Sequence, residues 1–142
     1  MERASRADRI GPLGQEIEIT LDSQPESVAR ARQVTTEAID GLSEDALEDV
    51  RLIVSELVTN AIKHGPQGRV TVRIWREDGM IRGEVEDEGT SPFGTSPVGL
   101  RRKSRIGPDG GLGLRLVDTL SDRWGVGPGP SRVWFELRDR SA

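Results

Sequence analysis

Apolar and polar residues alternate from Glu16 to Leu21, placing Ile17, Ile19 and Leu21 on one face, and this period of two predicts a short strand. The segment from Asp22 to Glu26 then reads as a helix start, with Ser23 or Asp22 capping and Pro25 in the first turn. That helix is expected to run to Asp40 and to stop at Gly41. Ser43 is placed to cap a second helix, and Glu44 and Asp45 fall in its first turn, where acids suit the positive end of the helix dipole. Its apolar positions, Leu47, Val50, Ile53, Val54, Leu57, Val58 and Ala61, fill an arc of roughly 140° on a helical wheel, the width of a core-facing stripe. Asp49, Glu56, Asn60 and Lys63 lie along one border of the stripe, where a helix meets a cleft, and Gly65-Pro66 ends the helix.

Alternation returns from Arg69 to Arg76, with Val70, Val72 and Ile74 on one face, and Asp78-Gly79 signals a hairpin turn. The returning strand sets Ile81, Gly83 and Val85 on one face, and by the same parity Asp87 points toward the layer that the helices should cover. A carboxylate aimed into an apolar layer needs a hydrogen-bonding partner, so this parity is a hint that Asp87 meets a ligand. Residues 90–109 are rich in Gly, Pro and Ser and show no period, as in a functional lid or a disordered segment. Helical spacing resumes from Gly111 to Leu120 with Leu114, Val117 and Leu120. Asp122 to Val126 reads as a strand, Gly127-Pro128-Gly129-Pro130 as a turn, and Val133, Phe135 and Leu137 alternate in a last strand. The order β-α-α-β-β-lid-α-β-β, with two hairpins and no repeats, predicts an α+β fold: a two-layer sandwich of a mainly antiparallel mixed sheet with helices on one face.

Composition narrows the picture. At 142 residues the chain makes one domain, long enough to bury roughly two-thirds of its unfolded surface. We place a flexible arm at residues 1–15 and the folded domain at residues 16–140. Cysteine is absent and His64 is the single histidine, which excludes disulfides, thiolate metal sites and a His-based zinc site. The first fifteen residues hold no apolar run of signal-peptide type, and no stretch approaches membrane-spanning length, so a cytoplasmic protein without membrane contact is expected. A net charge of −4 argues against direct nucleic-acid binding.

Candidate chemistry gathers in two places. Glu56 and Asn60 are four residues apart on one helix, so at about 100° per residue they share a face one turn apart. Asp87-Glu88-Gly89 closes a strand, and Gly111-Leu112-Gly113 opens a helix. A carboxylate able to act as base, an oxygen ligand for Mg²⁺ and a backbone cradle for phosphates are parts needed to handle ATP. A glycine pair alone would carry little weight, and no parallel βαβ unit surrounds it to support a dinucleotide fold.

The segment Ser55-Glu56-Leu57-Val58-Thr59-Asn60-Ala61-Ile62-Lys63-His64-Gly65 resembles the N box of the GHKL ATP-binding fold shared by gyrase, heat-shock chaperones, histidine kinases and MutL. Asp87-Glu88-Gly89 is similar to the G1 box, and Gly110-Gly111-Leu112-Gly113-Leu114-Arg115-Leu116-Val117 to the G2 box. The terminal Arg132-Val133-Trp134-Phe135-Glu136-Leu137 resembles the last strand of the stand-alone anti-sigma factor kinases of the RsbW and SpoIIAB type, and the likeness covers residues 16–138. The chain departs from fuller boxes at Ser91 and Asp109, where those carry glycine. The resemblance implies the histidine-kinase-like, or Bergerat, ATPase fold. It also implies Asn60 as ligand of an Mg²⁺ that bridges the ATP phosphates, Glu56 as general base, and Asp87 as acceptor from the adenine amino group, with Gly89 letting the purine approach. Gly111, Leu112 and Gly113 would meet phosphate, and residues 90–109 would form the ATP lid.

Other residues keep plainer readings beside these. Lys63 suits the negative end of its helix as well as it suits a phosphate, and His64 reads as a helix-end residue. The run Arg101, Arg102, Lys103 and Arg105 reads first as a solvated loop, and Trp75, Trp124 and Trp134 as packing residues. The resemblance implies an ATP-dependent protein serine/threonine kinase that also sequesters a sigma factor and is released by an anti-anti-sigma antagonist, with a homodimer left open. Two alternatives stand beside it: a non-catalytic ATP-binding module that only sequesters its partner, and a histidine-kinase catalytic domain acting in trans.

Overall fold

The computed structural model describes residues 16–39, 41–64, 68–77, 79–88, 114–128 and 131–139. Five strands, β1 (Glu16–Asp22), β2 (Arg69–Glu77), β3 (Met80–Asp87), β4 (Arg123–Val126) and β5 (Arg132–Arg138), join in one sheet in the order β1-β2-β3-β5-β4. Three helices, α1 (Glu26–Ala38), α2 (Glu44–His64) and α3 (Leu114–Leu120), complete the described structure. Every described strand pairing is antiparallel, so the α+β two-layer reading holds, with a sheet more uniform than the mixed one expected.

Strict alternation builds the sheet's buried face. Ile17 and Ile19 of β1, Val70, Val72 and Ile74 of β2, Ile81 and Val85 of β3, and Phe135 of β5 are buried, while their neighbours along each strand are not. The β2–β3 hairpin turns at Gly79, whose φ of +76° is a conformation that a side chain disfavours. Gly83 answers to space instead of conformation. A Cβ there would collide with the Phe135 ring, which sits fully buried opposite it in the β3–β5 register.

The helices cover that face, with α2 lying across β3, β2 and β5 and packed between α1 and α3. Val50, Ile53, Val54 and Val58 of α2 have no exposed surface, as its wide apolar stripe requires. The expected cap of α2 is present: Ser43 Oγ accepts from the Ala46 N–H at 3.1 Å. Asp139, just beyond β5, in turn accepts from Ser43 N–H and from Ser43 Oγ–H, each at 2.8 Å, and so ties the start of α2 to the end of the last strand.

The start of α1 differs from expectation. Pro25 is its N-cap, and since proline has no polar side chain and Ser23 Oγ makes no hydrogen bond, no side chain caps the helix; the Ser27 hydroxyl of the first turn donates back to the Asp22 carbonyl at 2.7 Å. The helix also ends earlier, at Ala38, with Ile39 already extended and buried. Burial of Ile39 outweighs a further turn. Among the described residues no helix is long and apolar enough to cross a membrane.

Candidate functional site

Chain connectivity brings the candidate residues to one end of the interlayer. Only residues 65–68 join the end of α2 to the start of β2, so the last turns of α2 lie over that edge of the sheet. Val70, the second residue of β2, is in register with Asp87, the last of β3. The Asp87 N–H donates to the Ser131 carbonyl at 3.1 Å, which brings the approach to β5 to the same place. Leu120 at the end of α3 shares a small cavity with Ala46 and Asp49 near the start of α2. Leu114, the first residue of α3, is buried in the same core as α2.

Within this frame Asp87 is buried at 6% exposure, following Ile81, Gly83 and Val85 on the helix-facing side, as its parity predicts. Asn60 goes deeper than expected. It is 4% exposed, not a border residue, because it stands seven positions after Ile53, two turns along and only about 20° off the same stripe. Glu56 is half-buried, and Lys63 is exposed at the end of α2. A step of four residues turns a helix by about 40°, which sets Glu56 on the rim and Asn60 beneath it. Asn60 and Asp87 are both buried, and Glu56 is partly exposed.

Asp49 occupies the Glu56 side of α2 two turns earlier. Burial raises its carboxyl above the ordinary value of 3.8, and the neighbouring Asp45 and Glu48 push it in the same direction. Among the described residues no cluster of three or more His, Asp or Glu gathers that would hold a metal by protein ligands alone. A single carboxamide oxygen beside phosphates is instead the donor set that suits Mg²⁺, which keeps several waters and takes few protein ligands.

Gly89, Gly111, Leu112 and Gly113 lie outside the described residues, as do residues 1–15, the segment 90–109 and its basic run. Two described residues escaped the sequence reading. Ser131 extends the inward alternation of Val133, Phe135 and Leu137 by one step, which would have placed it beside Asp87. Asp139 extends the same alternation one step past Leu137, which signals its burial, but nothing local points to its partner Ser43. The tryptophans also differ from simple packing residues. Trp124 packs against the core and donates its indole N–H to Asp118 of α3 at 2.9 Å, whereas Trp75 and Trp134 lie on the opposite face of the sheet.

Comparison with known proteins points to one family. Residues 21–137 match the family model of the histidine kinase-like ATPase domain. The serine-protein kinase RsbW of Listeria monocytogenes is 33% identical over 130 residues, covering 80% of each chain. The anti-sigma F factor of Geobacillus stearothermophilus is 36% identical over 119 residues, covering 75% of this chain and 77% of its own. The serine-protein kinase RsbW of Bacillus subtilis is 31% identical over 123 residues, covering 75% and 74%.

Proposed function

The chain belongs to the histidine kinase-like ATPase family, and from that premise we propose that it binds ATP at the Asn60–Asp87 end of the interlayer and phosphorylates a protein. The acceptor is a serine or threonine of an antagonist protein, and the same chain sequesters a sigma factor until that antagonist competes. The serine-protein kinase and anti-sigma names of its relatives support both halves. The observation that carries the site is the burial of a carboxamide, Asn60, and a carboxylate, Asp87, at one end of an otherwise apolar layer.

In this reading residues 16–140 form the kinase domain, and each side chain has a task set by its position. The Asp87 carboxylate accepts from the adenine amino group, and its backbone bond to Ser131 holds it on that bearing. The Asn60 side-chain oxygen is the protein ligand for Mg²⁺. That ion, when bound, neutralises and orients the phosphates. Gly89 lets the purine approach, Gly111, Leu112 and Gly113 face phosphate, residues 90–109 serve as the lid, and Lys63 sits where it can meet the phosphates from the helix end. Glu56, on the rim, is turned toward an incoming hydroxyl. The hydroxyl oxygen bonds to the γ-phosphorus as the bond to the β–γ bridging oxygen breaks and ADP departs, and Glu56 takes the hydroxyl proton. We place the protein in the cytoplasm, where sigma factors work.

Incubation with γ-labelled ATP and a candidate antagonist, followed by phosphoamino-acid analysis, tests the reading. Label in phosphoserine or phosphothreonine is expected. Acid-labile phosphohistidine would move the protein to the histidine-kinase alternative, and binding without transfer to any antagonist would leave only sequestration.

A further inference from the structure

On the sheet, arginine and glutamate pair off: Arg73, Arg82, Arg123 and Arg132 each lie within ion-pair distance of at least one glutamate. The seam between α1 and α2 is different. There the Arg32 guanidinium reaches across from α1 and donates to the Ser55 hydroxyl of α2 at 3.3 Å, and no carboxylate among the described residues joins it. Arg51 stands one turn before Ser55, on the same side of α2. Its Nε is buried without a hydrogen-bond partner. Its carboxylate neighbour among the described residues is Glu48, 3.3 Å away. Those two side chains are 37% and 56% exposed, so their pairing contributes little.

A guanidinium offers several N–H donors in a planar fork that matches a carboxylate. Arg32 spends one on a neutral hydroxyl and Arg51 one on an exposed neighbour, so within the protein most donors of the pair are unspent. In a chain of net charge −4, two cations left this way on one seam are a place for an anion brought from outside. Arg32 is already half-buried against α2, so fixing it on binding costs less side-chain entropy than fixing a free surface arginine.

Position says which anion. Ser55 immediately precedes Glu56, the residue at the rim of the nucleotide end. Consecutive residues are about 100° apart around a helix that is about 10–12 Å across with its side chains, so seam and rim are about 8 Å apart over the surface of α2. Between them in angle, one turn before Glu56, lies Leu52, the one exposed large hydrophobic among the described residues. An extended segment advances about 3.3 Å per residue. Laid across α2 with a hydroxyl at Glu56, it passes over Leu52 and brings the side chain roughly two or three residues away to Arg32 and Arg51. Free phosphate would use the guanidinia but neither Leu52 nor this spacing.

We propose that Arg32 and Arg51 select the acceptor protein by receiving an aspartate or glutamate that stands roughly two or three residues from its acceptor hydroxyl. The proposal rests on the reading of Glu56 as the rim of a phosphate-transfer site, and it names what the protein substrate of that site carries beside the hydroxyl. The two arginines touch neither ATP nor the reacting atoms, so they act on KM for the acceptor protein and not on kcat.

The test compares the wild type with the double variant Arg32→Gln, Arg51→Gln, using a candidate antagonist. It reads the antagonist's Kd with Mg-ADP present, KM and kcat for transfer from γ-labelled ATP, and the position of the label by mass spectrometry. We expect Kd and KM to rise at least ~10-fold, with kcat, Mg-ATP affinity and the unfolding midpoint close to wild type. Arg32→Glu should be rescued when the acid beside the acceptor hydroxyl is changed to lysine. Unchanged Kd and KM in the folded double variant overturn the proposal, as does a labelled hydroxyl with no aspartate or glutamate within about three residues. A fall in kcat alone overturns it too, because the arginines would then act only by holding α2. A double variant that loses a sigma factor but keeps the antagonist assigns the seam to that other partner and equally overturns it. A wild type that binds the antagonist without transferring phosphate sinks the kinase reading, and the Kd comparison still decides this one. A wild type that binds no antagonist overturns both.

Discussion

Replacing Asp139 by alanine removes the clamp that fixes α2, the helix carrying both Glu56 and Asn60. Its carboxylate is 7% exposed and accepts two hydrogen bonds of 2.8 Å from Ser43, whose hydroxyl in turn caps the Ala46 N–H. Hydrogen bonds to a charged acceptor contribute about 1.5–3 kcal/mol each, and a negative charge at a helix start adds about 0.3–1 kcal/mol. Ser43 is only half-buried, so water recovers part of the loss, and we expect Asp139→Ala to cost about 2–4 kcal/mol. Against a total of roughly 5–15 kcal/mol for a native domain, this is a large shift in a urea unfolding curve. Asp139→Asn keeps one acceptor oxygen and should cost about half as much. From Ser43 to Asn60 is roughly 25 Å along the helix at 1.5 Å per residue, so the folded variant should bind nucleotide as the wild type does. A cost below about 0.5 kcal/mol for Asp139→Ala, the range of ordinary surface changes, would refute the clamp.

Asn60→Ala should fold and lose most of its Mg-ATP affinity, while binding in the absence of the metal changes little; calorimetry with and without Mg²⁺ separates the two. Asp87→Asn should weaken ATP and relax the preference for ATP over GTP, read by competition, and a wild type on which GTP competes equally would remove the adenine assignment. Asp49 titrates above 3.8 in the folded chain, so the native state holds its proton more tightly than the unfolded chain does. Its contribution to stability therefore falls as pH rises from 3.8 toward the folded value and stays low above it. Asp49→Asn should accordingly raise the melting temperature at neutral pH, with the gain fading as pH is lowered toward 3.8.

Much of this was legible because burial follows period. The alternation in β1, β2, β3 and β5 gave each strand its inward face, including Asp87, and Ser43 announced α2 correctly. What was missed depends on tertiary contacts. Asn60 reads as a border residue by its polar type, although its angle, about 20° from that of Ile53, already lies within the buried stripe. Asp139 acts on a residue far away in sequence, and α1 starts after Pro25 with neither Ser23 nor Asp22 capping it. Trp75 and Trp134 pack on arginines that only strand register brings beside them.

The central claim is that the Asn60–Asp87 end holds ATP while Glu56, at its rim, moves the proton of the attacking hydroxyl. Single-turnover phosphate transfer to a cognate antagonist at saturating Mg-ATP, compared between wild type and Glu56→Gln, tests it most directly. The account predicts nearly unchanged Mg-ATP affinity and transfer slowed at least ~100-fold, the usual scale for losing a general base. A Glu56→Gln protein that transfers phosphate at the wild-type rate would contradict it.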